Sequence, residues 1–360
     1  MDATVRAQEE GDTSRSLYKL MLPFIFHTLS SCLLLRCAPI ALNTSQPIGM
    51  ASSGSASWVT LALLLFITLP ATANGDELSA SYYEKMCPNV QHVVGCDASV
   101  LLDATPFSPS EKDVEPNASL TGYTVIDDIK SALEHDCPAT VSCADVIALA
   151  SRDTVALLGG PTWSVPLGRK DSRFAADPES TKKGLPSPHD NLGELLTMFS
   201  RLNLDARDMT ALSGAHTIGM ANCMHYSDRV YGTDRDEEIN PSFAQTMQQT
   251  CQGPSGKAPF DVQTPMRFDN AYYRNLIARR GLLTSDQTLY GGGGLHDNLV
   301  EMYSADGEAF ARDFAKAMVK MGNVPPPMGM PVEKVVVTLW MIAYGTLADM
   351  THGYFRKIQP

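Results

Sequence analysis

Along the middle of the chain, stretches with apolar residues three or four apart alternate with short joints rich in proline or glycine. In "SLTGYTVIDDIKSALEHDC", Val125, Ile129 and Leu133 recur at every fourth position, which predicts a helix that stops at Cys137-Pro138. In "VSCADVIALASRDTVALLGGP", Ala144, Ile147, Ala148, Val155 and Leu158 predict a buried helix, with Ser142 as N-cap and Gly159-Gly160-Pro161 as its stop. "NLGELLTMFSRLN" and "SFAQTMQQTC" are amphipathic at the same period, and "GLPSPHDN" and "YGGGGLHDN" read as joints. No internal repeat stands out, and no alternating stretch is strong enough to build a sheet. The expected fold class is therefore all-α, with at most a short hairpin.

One of these stretches carries candidate chemistry. Asp205 precedes "ARDMTALSGAHTIG" and Asp208 follows three residues later, an acidic first turn that suits the helix dipole and resembles a capping box. Continued as a helix, the segment puts Met209, Leu212, His216 and Gly219 on one face. A lone histidine on such a face reads first as a core side chain bonded to a carbonyl. Gly214, Ala215 and Gly219, however, predict a flat space beside His216 that an ordinary core would fill and a planar ligand would fit.

Composition narrows the class. The 360 residues, 44% hydrophobic and 19% charged, make a globular chain long enough for one large domain or two. A net charge of −12 and a pI near 5.1 argue against a nucleic-acid partner. "WVTLALLLFITL" from Trp58 to Leu69 is too short to span a bilayer and is followed by Ala71-Thr72-Ala73, a small-residue cleavage signal. Residues 50–73 are expected to be a secretory signal peptide starting at Met50, and residues 1–49 a misplaced or alternative start. Of eight cysteines, Cys32 and Cys37 lie upstream of Met50, which leaves Cys87, Cys96, Cys137, Cys143, Cys223 and Cys251. None forms a CxxC pair, so zinc and thioredoxin-like chemistry are poor readings; an even number in an exported chain points to disulfides, their pairing open.

"LSGAHTIG", "VSCADVIALASRDTVALLGGPTWSVPLGRKDS", "GCDASVLLD", "FDNAYYRNL" and "GLLTSDQTLY" together resemble the class III secretory plant peroxidases, haem enzymes that oxidise phenols with hydrogen peroxide. The resemblance runs from about Leu78 to Glu333 and implies a peroxidase domain over residues 74–333, with helices sandwiching haem b. It implies His216 as the axial ligand of the haem iron, with the Asp286 carboxylate on its other nitrogen. Thr217, Asp261, Thr264 and Asp269 match a proximal calcium site, the one of the family's two calcium ions expected here. Asp145 and Arg169 match a buried ion pair, Pro186 the substrate edge, and Asn117 a residue that orients the distal histidine. Asn117 also opens an Asn-Ala-Ser sequon, which a pocket position would shield from glycosylation. The resemblance pairs Cys87 with Cys137 and Cys223 with Cys251. Implied partners are hydrogen peroxide and small phenols, with neither nucleic acid nor a stable membrane partner, in the extracellular space or the vacuole.

The chain also departs from the pattern. Val94 runs straight into Gly95 where the family places a helix bearing the distal arginine and histidine, so no catalytic acid–base pair is retained. His92 precedes the gap with no arginine near it in sequence and makes a poor substitute. The distal calcium set is reduced to Gly95, Asp97 and Ser99, with Glu111 nearby, and Cys96 and Cys143 become orphan thiols. Residues 334–360 form an atypical tail, whose apolar run from Val335 to Ala348 is too short for a membrane span. Two functions are expected to compete: a haem peroxidase of impaired turnover, acting in peroxide removal or wall-phenol oxidation, and a non-catalytic secreted haem- or calcium-binding product.

Overall fold

The computed structural model describes residues 98–324, apart from 107, 115–116, 119, 173, 233–238 and 254–255. The expected signal peptide and upstream segment, the atypical tail, and Cys87, His92, Gly95, Cys96 and Asp97 lie outside the described residues.

Helices dominate, as the periodicity predicts. In chain order they are α1 (Tyr123–Asp136), α2 (Cys143–Leu157), α3 (Pro178–Gly184), α4 (Leu192–Ser200), α5 (Ala206–Ser213), α6 (Ser227–Tyr231) and α7 (Pro241–Thr250). These are followed by α8 (Ala271–Ile277), α9 (Thr284–Gln287), α10 (Leu295–Ala305) and α11 (Gly307–Gly322). The α8, α10 and α11 helices were not among the predicted elements. Their signal is nonetheless present in α11, where buried Phe310, Phe314, Ala317 and Met321 follow steps of four, three and four.

Local chemistry explains the ends. Ser142 Oγ accepts the Asp145 N–H at 3.1 Å, and the first two N–H groups of α2, from Cys143 and Ala144, donate to the Asp171 carboxylate at 2.9 and 2.8 Å. An anion thus sits where the helix dipole is positive and the backbone donors are otherwise unpaired. The helix stops where Gly159 takes a φ of +90°, a conformation that costs glycine little. Within the first turn of α2, Asp145 is fully buried and faces Arg169 Nη1 at 2.6 Å, an ion pair that pins the helix to the strand-like segment carrying Gly168 and Arg169.

The expected hairpin takes a different form. Strands β1 (Met220–Asn222) and β2 (Lys257–Pro259) pair antiparallel, with Met220 opposite Pro259, but α6 and α7 lie between them in sequence. The Cys223–Cys251 disulfide closes this subdomain, whose small core holds Tyr226, Phe243, Met247 and Phe260. A larger core joins α1, α2, α4, α5, α8, α10 and α11 through residues such as Ile147, Met209, Tyr273 and Phe310. The segment from α5 into β1 crosses from the large core to the small one, and His216 lies on that crossing.

Candidate functional site

The α5 helix begins on a reciprocal capping box: Asp205 accepts the Asp208 N–H at 2.9 Å and Asp208 accepts the Asp205 N–H at 2.9 Å. It ends sooner than the apolar pattern predicts. The α-helix stops at Ser213, and Gly214 to Thr217 form a tighter 3₁₀ turn, so Gly219 does not continue the face of Met209 and Leu212. The small residues have their own reasons. A Cβ at Gly214 would collide with the Tyr273 hydroxyl and the Phe310 ring, so this glycine admits two aromatic neighbours, and the expected flat space on that side is filled by protein. Gly219, with a φ of +107°, turns the chain into β1.

His216 is 5% exposed and held from several directions. Its Nδ1 lies 2.6 Å from Asp286 Oδ1, and the Phe260 ring stacks on the imidazole with centroids 3.9 Å apart and planes 3° from parallel. Asp286 also accepts the Tyr272 hydroxyl on Oδ1 and the Leu283 N–H on Oδ2, each at 3.0 Å. The Tyr272 hydroxyl and the Leu283 N–H already donate to the two Asp286 oxygens, so a neutral imidazole facing Oδ1 donates from Nδ1 and leaves its lone pair on Nε2. Tyr272 is fully buried, and desolvation, then the neighbouring Asp286 charge, push its phenol well above the ordinary tyrosine range. It therefore keeps its proton and donates it to Asp286.

Nε2 of His216 is buried and has no hydrogen-bond partner among the described residues. An unpaired buried acceptor costs on the order of 1–3 kcal/mol, which a bond to a metal would offset. A histidine fixed through one nitrogen by a carboxylate and open at the other is the donor set of a metal ligand, and the residues fit an iron-bound haem on this side. Tyr272 and Phe260 escaped the sequence reading, because nothing in their local patterns ties them to a histidine tens of residues away.

Next to His216, Thr217 belongs to an oxygen-rich cluster. Asp261, fully buried, accepts from Thr217 Oγ1 at 3.5 Å, Thr264 Oγ1 at 2.8 Å, the Gln263 N–H at 2.7 Å and Asn275 Nδ2 at 2.7 Å. Thr264 Oγ1 also reaches Asp269 Oδ1 at 3.0 Å, and the Asp269 N–H donates to Thr217 Oγ1 at 3.4 Å. All four residues expected around the proximal calcium thus meet. Among the described residues no group of three or more His, Cys, Asp or Glu is placed to hold a metal ion; this set offers two carboxylates and two hydroxyls, hard oxygens suited to calcium.

The remaining predicted residues scatter. Ser99 is buried in a short 3₁₀ turn, and Glu111, 2% exposed, accepts the Ala176 N–H at 2.7 Å. Asn117 is 2% exposed; its Nδ2 donates to the Glu111 carbonyl at 2.9 Å, while its Oδ1 is buried without a partner among the described residues. Pro186 lies half-buried in the joint after α3, and Pro188 of that joint accepts the Ser285 N–H at 3.0 Å, beside Asp286. Cys223 and Cys251 are bonded to each other, with Cα atoms 5.0 Å apart, and Cys137 is disulfide-bonded as well, its expected partner Cys87 lying outside the described residues.

Cys143 carries a free thiol. It opens α2, a position that would ordinarily favour a thiolate. Burial and the Asp171 charge win instead and push it up to about 11. Native protein is expected to be alkylated at Cys143 about 10²-fold more slowly than an exposed cysteine at neutral pH, as timed iodoacetamide labelling and peptide mapping would read.

A family profile described as Peroxidase matches residues 4–306. The chain is 43% identical to Peroxidase 2 of Oryza sativa subsp. japonica over 310 residues, covering 76% of this chain and 95% of that protein. It is 42% identical to the lignin-forming anionic peroxidase of Nicotiana sylvestris over 286 residues, covering 70% and 88%. To Peroxidase 67 of Arabidopsis thaliana it is 40% identical over 302 residues, covering 74% and 94%. In the rice alignment, 76% of a 360-residue chain falls short of 310 positions, so the relative spans positions with no counterpart here.

Proposed function

The chain belongs to the class III plant peroxidase family, whose members carry out peroxide-dependent oxidation, and from that premise we propose that it holds a haem iron through His216. The observation that carries the reading is the buried, unpartnered Nε2 of a histidine whose Nδ1 is fixed on Asp286. Haem b, when bound, supplies the iron at which peroxide is reduced while a small phenolic donor is oxidised. The protein's own part is to prepare the ligand. Asp286 accepts the Nδ1 proton, which directs the lone pair to Nε2 and enriches it in electron density. Phe260 lies flat on the ring and keeps water from it. Thr217, Asp261, Thr264 and Asp269 would hold a calcium ion one residue from the ligand, tying the His216 turn to the 261–269 segment.

The opposite side limits the rate. The segment from Val94 to Gly95 contains no histidine–arginine pair to move the peroxide proton, and the alignments to full-length relatives run over more positions than this chain contributes. General acid–base help is worth about 10²–10⁴-fold, and charge-stabilising donors about as much again at the lower end. A second reading, a haem- or calcium-binding product without turnover, is favoured by Asn117, whose Oδ1 is buried with no hydrogen-bond partner among the described residues. In either reading the protein acts outside the cell or in the vacuole. Its family is secretory, and among the described residues no helix is long and apolar enough to cross a membrane.

Expression with haem and calcium, followed by the Soret spectrum and guaiacol turnover, tests the reading. The expected result is a Soret band with turnover at least about 10²-fold below that of the rice relative. A band with no turnover would select the second reading, and full turnover would refute the impairment.

A further inference from the structure

Asp286 does not serve His216 alone. Its Oδ1 accepts both His216 Nδ1–H at 2.6 Å and the Tyr272 hydroxyl at 3.0 Å, while Oδ2 takes the Leu283 N–H. A carboxylate that accepts more hydrogen bonds is a weaker base, because each donor stabilises the same negative charge. Whatever charge the Tyr272 hydroxyl draws from Oδ1 is no longer available to pull on the Nδ1 proton. The ring alone does not explain the residue. Tyr272 is 2% exposed, with its ring edge-on to His216 at 6.2 Å and to Tyr273 at 5.1 Å, a space that phenylalanine would fill equally well. The hydroxyl is the part that packing leaves over, and it is spent on the oxygen that His216 uses.

We propose that Tyr272 is a positioning residue that sets the strength of His216 as a ligand, by sharing the Asp286 oxygen that holds the Nδ1 proton. The consequence for iron rests on the haem reading above, whereas the sharing itself is a property of the chain without haem. Removing the hydroxyl leaves the carboxylate wholly to His216, which makes the imidazole more anionic and Nε2 a stronger donor. Strengthening the hydroxyl as a donor does the reverse.

The test uses the full chain with Tyr272→Phe and, separately, with fluorotyrosine incorporated at position 272, a better hydrogen-bond donor of nearly the same shape. Without haem, the NMR resonance of the His216 Nδ1 proton is expected to move downfield in Tyr272→Phe and upfield with fluorotyrosine. With haem, the ferrous iron–imidazole stretch is expected to rise and the ferric/ferrous potential to fall in Tyr272→Phe, with opposite shifts for fluorotyrosine. If Tyr272→Phe does not fold, the upfield resonance, lowered stretch and raised potential expected of the fluorotyrosine protein carry the test alone. An Nδ1 resonance unmoved in a folded variant overturns the proposal. A moved resonance in a protein that takes up no haem upholds the sharing and overturns the haem reading instead.

Discussion

Replacing His216 by alanine is expected to abolish the Soret band of the haem-loaded protein and any peroxide turnover with it, while leaving the circular dichroism of the helices in place. Alanine removes Nε2, a buried nitrogen with no hydrogen-bond partner among the described residues, and with it the imidazole that Asp286, Leu283, Tyr272 and Phe260 together hold still. The scaffold has reason to survive, because the turn is fixed by its backbone and by the ladder of β1 on β2. The truncation leaves a cavity roughly the size of an imidazole ring, so added imidazole is expected to restore part of the band, a rescue that a general folding defect would not show. Asp286→Asn separates ligation from tuning. The nitrogen ligand remains, so the band is expected to persist, with affinity or turnover lower by about 10–100-fold. A full Soret band in His216→Ala without added imidazole would mean that iron is held elsewhere, and the function proposed above would fall with it.

What could be read from the sequence follows from which forces are local. The helices after Ser142 and Asp205 were legible because apolar period and capping side chain lie within one turn of each other, and each of these residues accepts a backbone N–H of its helix; those after Asn191 and Asn240 were legible from amphipathic period alone. The end of α5 was not legible. The pattern of Met209, Leu212 and His216 continues through Gly214, but the packing of Tyr273 and Phe310 against that glycine comes from residues distant in sequence, and Gly219 leaves the helical face through its positive φ. The candidate site divides in the same way. Asp286 and the oxygen cluster could be named only through resemblance to a family, since a lone Ser-Asp or "DVQTPMRFD" reads locally as a cap or a turn. Phe260 and Tyr272, whose contacts shape His216 most closely after Asp286, are ordinary core aromatics in any local reading, and only the fold brings their rings and hydroxyl to the imidazole.

The largest loss of stability is expected from Asp145→Ala. The carboxylate is fully buried and makes a 2.6 Å ion pair with Arg169 Nη1, whose side chain is 4% exposed; it also accepts the N–H groups of Gly168 at 3.0 Å and Arg169 at 3.4 Å. A pair taken out of water is a weak source of net stability, because desolvation cancels most of the attraction, yet removing one member leaves the other charge buried and costs about 3–5 kcal/mol. For a domain of this size that is a fall in midpoint of roughly 10 °C, and salt should change it little because the pair lies beyond the reach of screening ions. Asp145→Asn keeps an acceptor for only one of the two backbone donors, which bond different oxygens, and loses the charge, so most of the loss is expected to remain. The double variant Asp145→Leu with Arg169→Met decides the cause. If the stranded guanidinium is responsible, the pair of apolar residues should recover most of the midpoint; if the bonds from Gly168 and Arg169 to the first turn of α2 are responsible, the double variant should stay as low as the single one. Thermal unfolding of the four proteins separates these outcomes. A fall of less than about 2 °C in Asp145→Ala would show that water reaches Arg169 and that the ion pair is not what joins α2 to the 168–169 segment.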